Sequence, residues 1–254
     1  TLSPTIYWQR NWDHYQWKRG MTGAAKGENY HRTDVFGGSL NTVVNWLLGK
    51  TALGADLRKE VIYSTAYGET LPADQWKSIP GSDRMYERRG ERTNTSLFLE
   101  HNVVLEHFTL SAGLLANHNT WLSGGLRFYP GVDISWRPNV QWKVYASWNK
   151  ALRLPTYTDL YISNRAQVGD MNLNPERVNT YKLGARYRTT ALETQLNAFY
   201  SNGRDMIDWV FETAASTRYH ALNIGKLDNM GASLDLAFMP KELWAGSPFT
   251  AVKL

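Results

Sequence analysis

Apolar side chains fall at every second position through much of this chain, and long polar stretches separate the runs. Leu192 to Tyr200 is the clearest case: Leu192, Thr194, Leu196, Ala198 and Tyr200 oppose Glu193, Gln195 and Asn197. A period of two puts these sets on opposite faces of an extended strand. The same alternation predicts strands over Leu2–Lys18, His31–Leu48, Ala52–Tyr67, Arg92–Glu106, Phe108–Asn117, Leu126–Trp136 and Tyr219–Met239. Two more flank a polar excursion: one carries Trp142, Val144, Ala146 and Trp148, the other Tyr181, Leu183, Ala185 and Tyr187. Phe249 to Leu254 starts a further strand, and the VVNWLL run ending at Leu48 also fits a short helix.

Each predicted strand has one apolar and one polar face. Leu57, Val61, Tyr63 and Thr65 oppose Asp56, Arg58, Glu60 and Ser64, so one side must meet water. The connections then sort by length. Those near Gly49-Lys50, Glu106, Pro138-Asn139 and Thr189-Thr190 are short, and those at Gly20, Gly68, Asn119–Gly125, Arg153 and around Glu212 are mostly longer. Strict alternation of tight turns and long loops is expected of an outer-membrane barrel, and Greek-key sandwiches have no reason to keep it.

The excursion carries recognisable wording. Arg153–Tyr161 reads R-x-P-x-x-x-D-L-Y, and Gly169–Glu176 reads G-D-x-x-L-x-P-E. AFYSNGRDMIDW at Ala198–Trp209 and NIGKLDNMGASLDLAF at Asn223–Phe238 follow in order. Together these resemble the barrel of TonB-dependent outer-membrane receptors. Met171 stands where that family often has Pro, and Asp170 where it often has Asn. The resemblance implies an all-β, antiparallel transmembrane β-barrel and singles out Arg153, Pro155, Asp159, Leu160, Tyr161, Gly169, Leu173, Pro175 and Glu176 as signature positions. These read first as structural, because polar groups near a strand top pair with neighbours or water and proline ends ladder pairing.

About ten complete strands at roughly 23 residues each, set against the roughly 22 strands of plugged transporters, make residues 1–254 about half a barrel. Nothing resembles the globular plug of such receptors, Leu254 is not their usual aromatic terminus, and no signal peptide precedes Thr1. The expectation is a partial barrel without its plug, from a processed or partial chain.

Composition is compatible with this. Hydrophobic residues are 43% of the chain and mean hydropathy is -0.46, but barrel strands average to mild polarity because lipid-facing and lumen-facing residues alternate. Eleven Trp and 14 Tyr supply the amphipathic rings that collect at membrane–water boundaries. A net charge of +5, scattered singly, offers no nucleic-acid footprint. The absence of cysteine removes disulfides, thiolate metal sites and Cys nucleophiles.

Candidate chemistry is sparse. Gly49-Lys50-Thr51 lacks the glycine a phosphate loop needs, since Val44 occupies that place. His101 and His107 lack metal spacing. Asp13 and His14, as strand neighbours, point to opposite faces, and no serine-based constellation is visible. Asp205, Asp208 and Glu212 could offer calcium its oxygen ligands. A solvated loop is about five times as common a use of such acids.

The resemblance implies a non-enzymatic active transporter in the bacterial outer membrane, taking up a scarce bulky nutrient: cobalamin, a ferric siderophore or haem. DMIDW and NIGK read somewhat like the cobalamin branch. It implies the TonB energy-coupling complex and outer-membrane lipid as partners and no required cofactor, although the cargo may carry iron or cobalt. The rivals are a passive porin-like or structural barrel, and a secreted carbohydrate-binding β-domain.

Overall fold

The computed structural model describes residues 1–122 and 125–253. Ser123 and Gly124 of the predicted Asn119–Gly125 loop, and Leu254, lie outside the described residues. The alternating segments form ten long strands: β1 (Leu2–Tyr15), β2 (Asn29–Trp46), β3 (Gly49–Ser64), β4 (Arg88–Val104), β5 (Phe108–Asn119), β6 (Arg127–Trp136), β7 (Trp142–Arg153), β8 (Glu176–Arg188), β9 (Leu192–Val210) and β10 (Tyr219–Phe238). Val252–Lys253, β11, begins another against β10. Every long strand pairs antiparallel with its sequence neighbours in one sheet, as expected for a barrel wall.

Register turns the sequence pattern into two surfaces. Leu110, Ile134, Ala146, Leu183, Ala198 and Ala232 lie side by side across six strands. Pro4, Leu40, Ala55, Leu97, Ala116 and Phe128 do the same across β1 to β6. Among the described residues no sheet covers these rows: Leu183, Leu196 and Leu234 are 59%, 51% and 57% exposed. An apolar surface of this extent is untenable in water, which removes the soluble-sandwich rival and makes this the lipid face. The opposite face is hydrogen-bonded and polar, with the Tyr145 hydroxyl donating to Asn197 and Gln195 Nε2 donating to Tyr145 at 3.3 Å.

Three expectations need correction. The first turn is Leu47–Leu48, with Gly49 opening β3 opposite Trp46. Gly49 has φ 132°, and a Cβ there would lie 2.2 Å from the Asn102 carbonyl oxygen, so glycine marks the strand entry. The VVNWLL run is strand as far as Trp46, held by pairing to β3, and the Val43 N–H donates to Thr1 O at 3.1 Å. The strand read over Leu192–Tyr200 is longer, because β9 runs on to Val210 through an irregularity between Gly203 and Met206 and so carries Asp205 and Asp208 at its outer end. Asp205 there has φ 55°.

Candidate functional site

The polar excursion, residues 154–175, folds back over the lumen-facing side at the long-loop end of the sheet. Its ends are clamped by the last β7–β8 pair, Arg153 opposite Glu176. Arg153 donates through Nε to Glu176 Oε2 at 2.7 Å and through Nη2 to Oε1 at 2.5 Å. Its Nη1 lies 3.4 Å from Asp159 Oδ2. Glu176 Oε1 also accepts the Ile207 backbone N–H at 3.0 Å, which carries the clamp onto β9.

Within the excursion, Tyr157–Tyr161 forms a short helix, α1. It escaped sequence reading because five residues carry no helical period. Thr156 and Asp159 make a capping box: Asp159 N–H donates to Thr156 Oγ1 at 3.1 Å, and Thr156 N–H donates to Asp159 Oδ2 at 2.9 Å. Asp159 is thus both helix cap and partner of Arg153.

Past α1 the chain crosses tightly over itself. Gly169 N–H donates to Ile162 O at 2.7 Å, and a Cβ on Gly169 would lie 2.7 Å from both Asp159 O and Leu160 C. Leu160, Leu173 and Ala221 form a small buried core, with Tyr161, Trp121, Ile207 and Trp209 packed against it. Pro175 is fully buried just before the clamp. All nine signature positions therefore meet in one assembly at the mouth.

Sequence reading missed Arg92, which ties this assembly to the wall. Its Nε donates to Glu60 Oε2 at 2.6 Å and its Nη1 to Pro155 O at 2.8 Å. The guanidinium stands 5.1 Å from the Trp121 ring centroid and 5.2 Å from that of Tyr157. Trp121 meets Tyr157 and Tyr161 edge-on. Burial pushes the Tyr157 phenol well above the usual tyrosine range, and raises that of Tyr161, so both stay neutral, and the Tyr157 hydroxyl donates to Glu60 O at 3.4 Å. A cavity of about 130 Å³ lies between Arg92, Trp121, Leu160 and Leu173. A void of this size admits little more than a benzene-sized group, so a bulky ligand would rest on this assembly rather than inside it.

The other candidates take separate partners. Asp205 holds Arg177, Asp208 accepts from the Trp209 backbone, and Glu212 lies beside His220. Among the described residues no group of three or more His, Cys, Asp or Glu is placed to hold a metal. His101 Nδ1 pairs with Thr51 Oγ1, and His107 Nδ1 with Arg137 O. Cross-strand register aligns Asp13, His31 and Ser64, which linear spacing could not reveal. Ser64 is fully buried and its Oγ accepts the Ala66 and Tyr67 N–H groups, so the arrangement is a turn lock with no access for a substrate.

The family model described as TonB dependent receptor-like, beta-barrel, matches residues 1–252. Among solved structures, the chain is similar to the FrpB iron transporter from Neisseria meningitidis, at 18% identity and a TM-score of 0.66, over 93% of this chain and 38% of that one. It is similar to the siderophore receptor PirA from Pseudomonas aeruginosa, at 20% identity and a TM-score of 0.62, over 83% and 40%. The copper transporter OprC aligns at 16% identity and a TM-score of 0.68, over 93% and 40%. At these identities the likeness concerns the fold. The chain spans about two fifths of the length of these structures. Comparison with curated proteins found no match.

Proposed function

The chain belongs to the TonB-dependent receptor β-barrel family, which places it in the bacterial outer membrane, and we propose that it forms part of the wall of an active transporter for a metal-bearing small molecule. The carrying observation is the mouth assembly. Two consecutive long strands are clamped by Arg153 and Glu176, and the excursion between them is packed inward by Arg92 and the Leu160–Leu173–Ala221 core. A loop fixed in this way keeps its shape without ligand, so binding need not spend free energy ordering it.

Iron, siderophore and copper transport in the similar solved structures supports a metal chelate as cargo, with a ferric siderophore the leading case and cobalamin or haem the alternatives. Tight capture matters because a dilute, bulky ligand gains little from a diffusion pore. In this reading a plug supplied by polypeptide outside residues 1–254 closes the lumen and couples to TonB, the metal belongs to the cargo, and no catalytic step is assigned.

Uptake of a labelled ferric siderophore by cells carrying the full-length receptor tests this, with native mass spectrometry identifying the retained ligand. Saturable uptake abolished when TonB is deleted is expected. Non-saturable flux that is indifferent to TonB would establish the passive-pore rival instead.

A further inference from the structure

The hydroxyl of Ser64 has no capacity to spare. Its oxygen accepts the Ala66 N–H at 2.8 Å and the Tyr67 N–H at 2.7 Å, and His31 Nδ1 lies 2.7 Å from the same atom. A hydroxyl has two lone pairs and one proton. The backbone takes both lone pairs, so only the proton is left for the ring: Ser64 donates and His31 Nδ1 accepts. The imidazole is therefore neutral, with its own proton on Nε2.

The surroundings leave the ring little freedom to find another arrangement. Ser64 is fully buried and His31 is 8% exposed, with its ring stacked on Tyr67 at a centroid distance of 4.4 Å. The titratable groups that face it are Asp13, its cross-strand neighbour on β1, and the Tyr67 phenol from the turn, while Ser64 on β3 brings no charge. Burial disfavours a charged ring and Asp13 favours one. A second proton on His31 would set three donors against the two lone pairs of Ser64. The serine would then accept from the ring only by releasing the Ala66 or Tyr67 N–H.

That turn is seated against the mouth. Gly68, at φ 101°, lies so close to β4 that a Cβ there would stand 2.5 Å from the Arg89 carbonyl carbon. A Cβ on Gly90 would meet the Tyr157 ring at 3.1 Å and Gly68 Cα at 3.7 Å, so the turn, β4 and the first residue of α1 converge on one point. Arg88 Nη1 donates to Gly68 O at 3.1 Å and holds the far end of the turn, which places the first loosening at Ala66 and Tyr67.

We propose that His31 is a proton-operated latch on the mouth assembly. Neutral, it lets Ser64 hold the 64–68 turn against β4 and α1; charged, it releases the turn and loosens α1. A lock built on the neutral ring is intact above the histidine range and is lost as pH falls through it. The latch is a property of the wall and does not depend on which cargo is carried.

Hydrogen exchange of the full-length receptor in detergent tests this, read as protection relative to the intrinsic rate at each pH, from about pH 7.5 to about pH 5.5, the range in which histidine charges. Residues 64–68 should lose protection on acidification and residues 157–161 should follow, with the paired core of β3 unchanged. His31→Asn offers Ser64 an amide oxygen that takes up no proton in this range, and His31→Phe keeps a ring on Tyr67 but has no acceptor. Protection of the turn should become independent of pH in both, high in the first and low in the second. A wild-type turn equally protected across the range overturns the latch, and this measurement stands without the variants. A pH-dependent loss that survives in either variant also overturns it, because another group is then titrating. Loss confined to residues 64–68 overturns the coupling to the mouth.

Discussion

Arg153 and Glu176 are 23 positions apart in sequence, yet their side chains meet through two hydrogen bonds, at 2.7 and 2.5 Å. Among the described residues they close the one excursion that carries an α-helix, so this ion pair fixes the two ends of the mouth assembly. Arg153→Ala would leave the Glu176 and Asp159 side chains, 7% and 11% exposed, without their cation. The expected cost is about 1–3 kcal/mol, toward the lower end because the arginine side chain is 47% exposed and water replaces part of its contact. Hydrogen exchange over residues 154–175 should accelerate while β7 below Trp148 stays protected. Unchanged exchange in the excursion would show that the pair does not hold it.

Facing can be tested at two adjacent positions. Leu196 lies in a row with Ala185 and Leu234 on the lipid side, and Gln195 bonds Tyr145 on the polar side. Leu196→Arg should cost about 2–4 kcal/mol in folding into bilayers if it sits near the midplane. Gln195→Arg should be mild, because the lumen is wet. Equal costs for the two would refute the assignment of faces.

Much of this wall was legible in the linear sequence because a strand with one lipid face and one wet face writes its period directly into residue order. All ten long strands follow from that alternation, and so does the alternation of tight turns with long loops. What stayed hidden depends on register. Arg92 reads as one more polar residue in β4 until pairing brings it opposite Glu60. His31 is an ordinary strand histidine until pairing brings it opposite Ser64. The extension of β9 to Val210 was obscured by the irregularity at Asp205, which breaks the alternation that an observer follows.

A pH response is expected in the first long loop. The Gly23 backbone N–H, at 2.6 Å, is the strongest influence holding the Glu28 carboxyl down to about 2, followed by His14 at 2.9 Å, with Gln16 and Tyr30 assisting. A carboxyl depressed in the folded state stabilises the fold above its ordinary value of 4.5, and that contribution is lost as pH falls toward 2. Hydrogen-exchange protection of residues 20–28, taken relative to the intrinsic rate at each pH, should therefore stay flat from neutral pH to about 5 and fall below that. Glu28→Gln should lower the neutral-pH protection and flatten the dependence. A wild-type loop equally protected on both sides of that window would remove Glu28 as its anchor.

Arg92 offers the sharpest test of how the mouth is joined to the wall. The guanidinium works in two directions, since its edge reaches Glu60 and the Pro155 carbonyl while its face stands over Trp121 and Tyr157. Lysine keeps the charge and the stem but has no planar fork, so it can satisfy the carboxylate or the carbonyl without bridging the two rings. The side chain is only 14% exposed, so water does not restore the lost bonds, and Arg92→Lys should cost about 1–2 kcal/mol. The decisive readout is spatial. Residues 119–122 and 155–161 should lose hydrogen-exchange protection together, while the paired core of β4 does not. If only one of those segments responds, Arg92 is a local contact and the two loops are held to the wall independently.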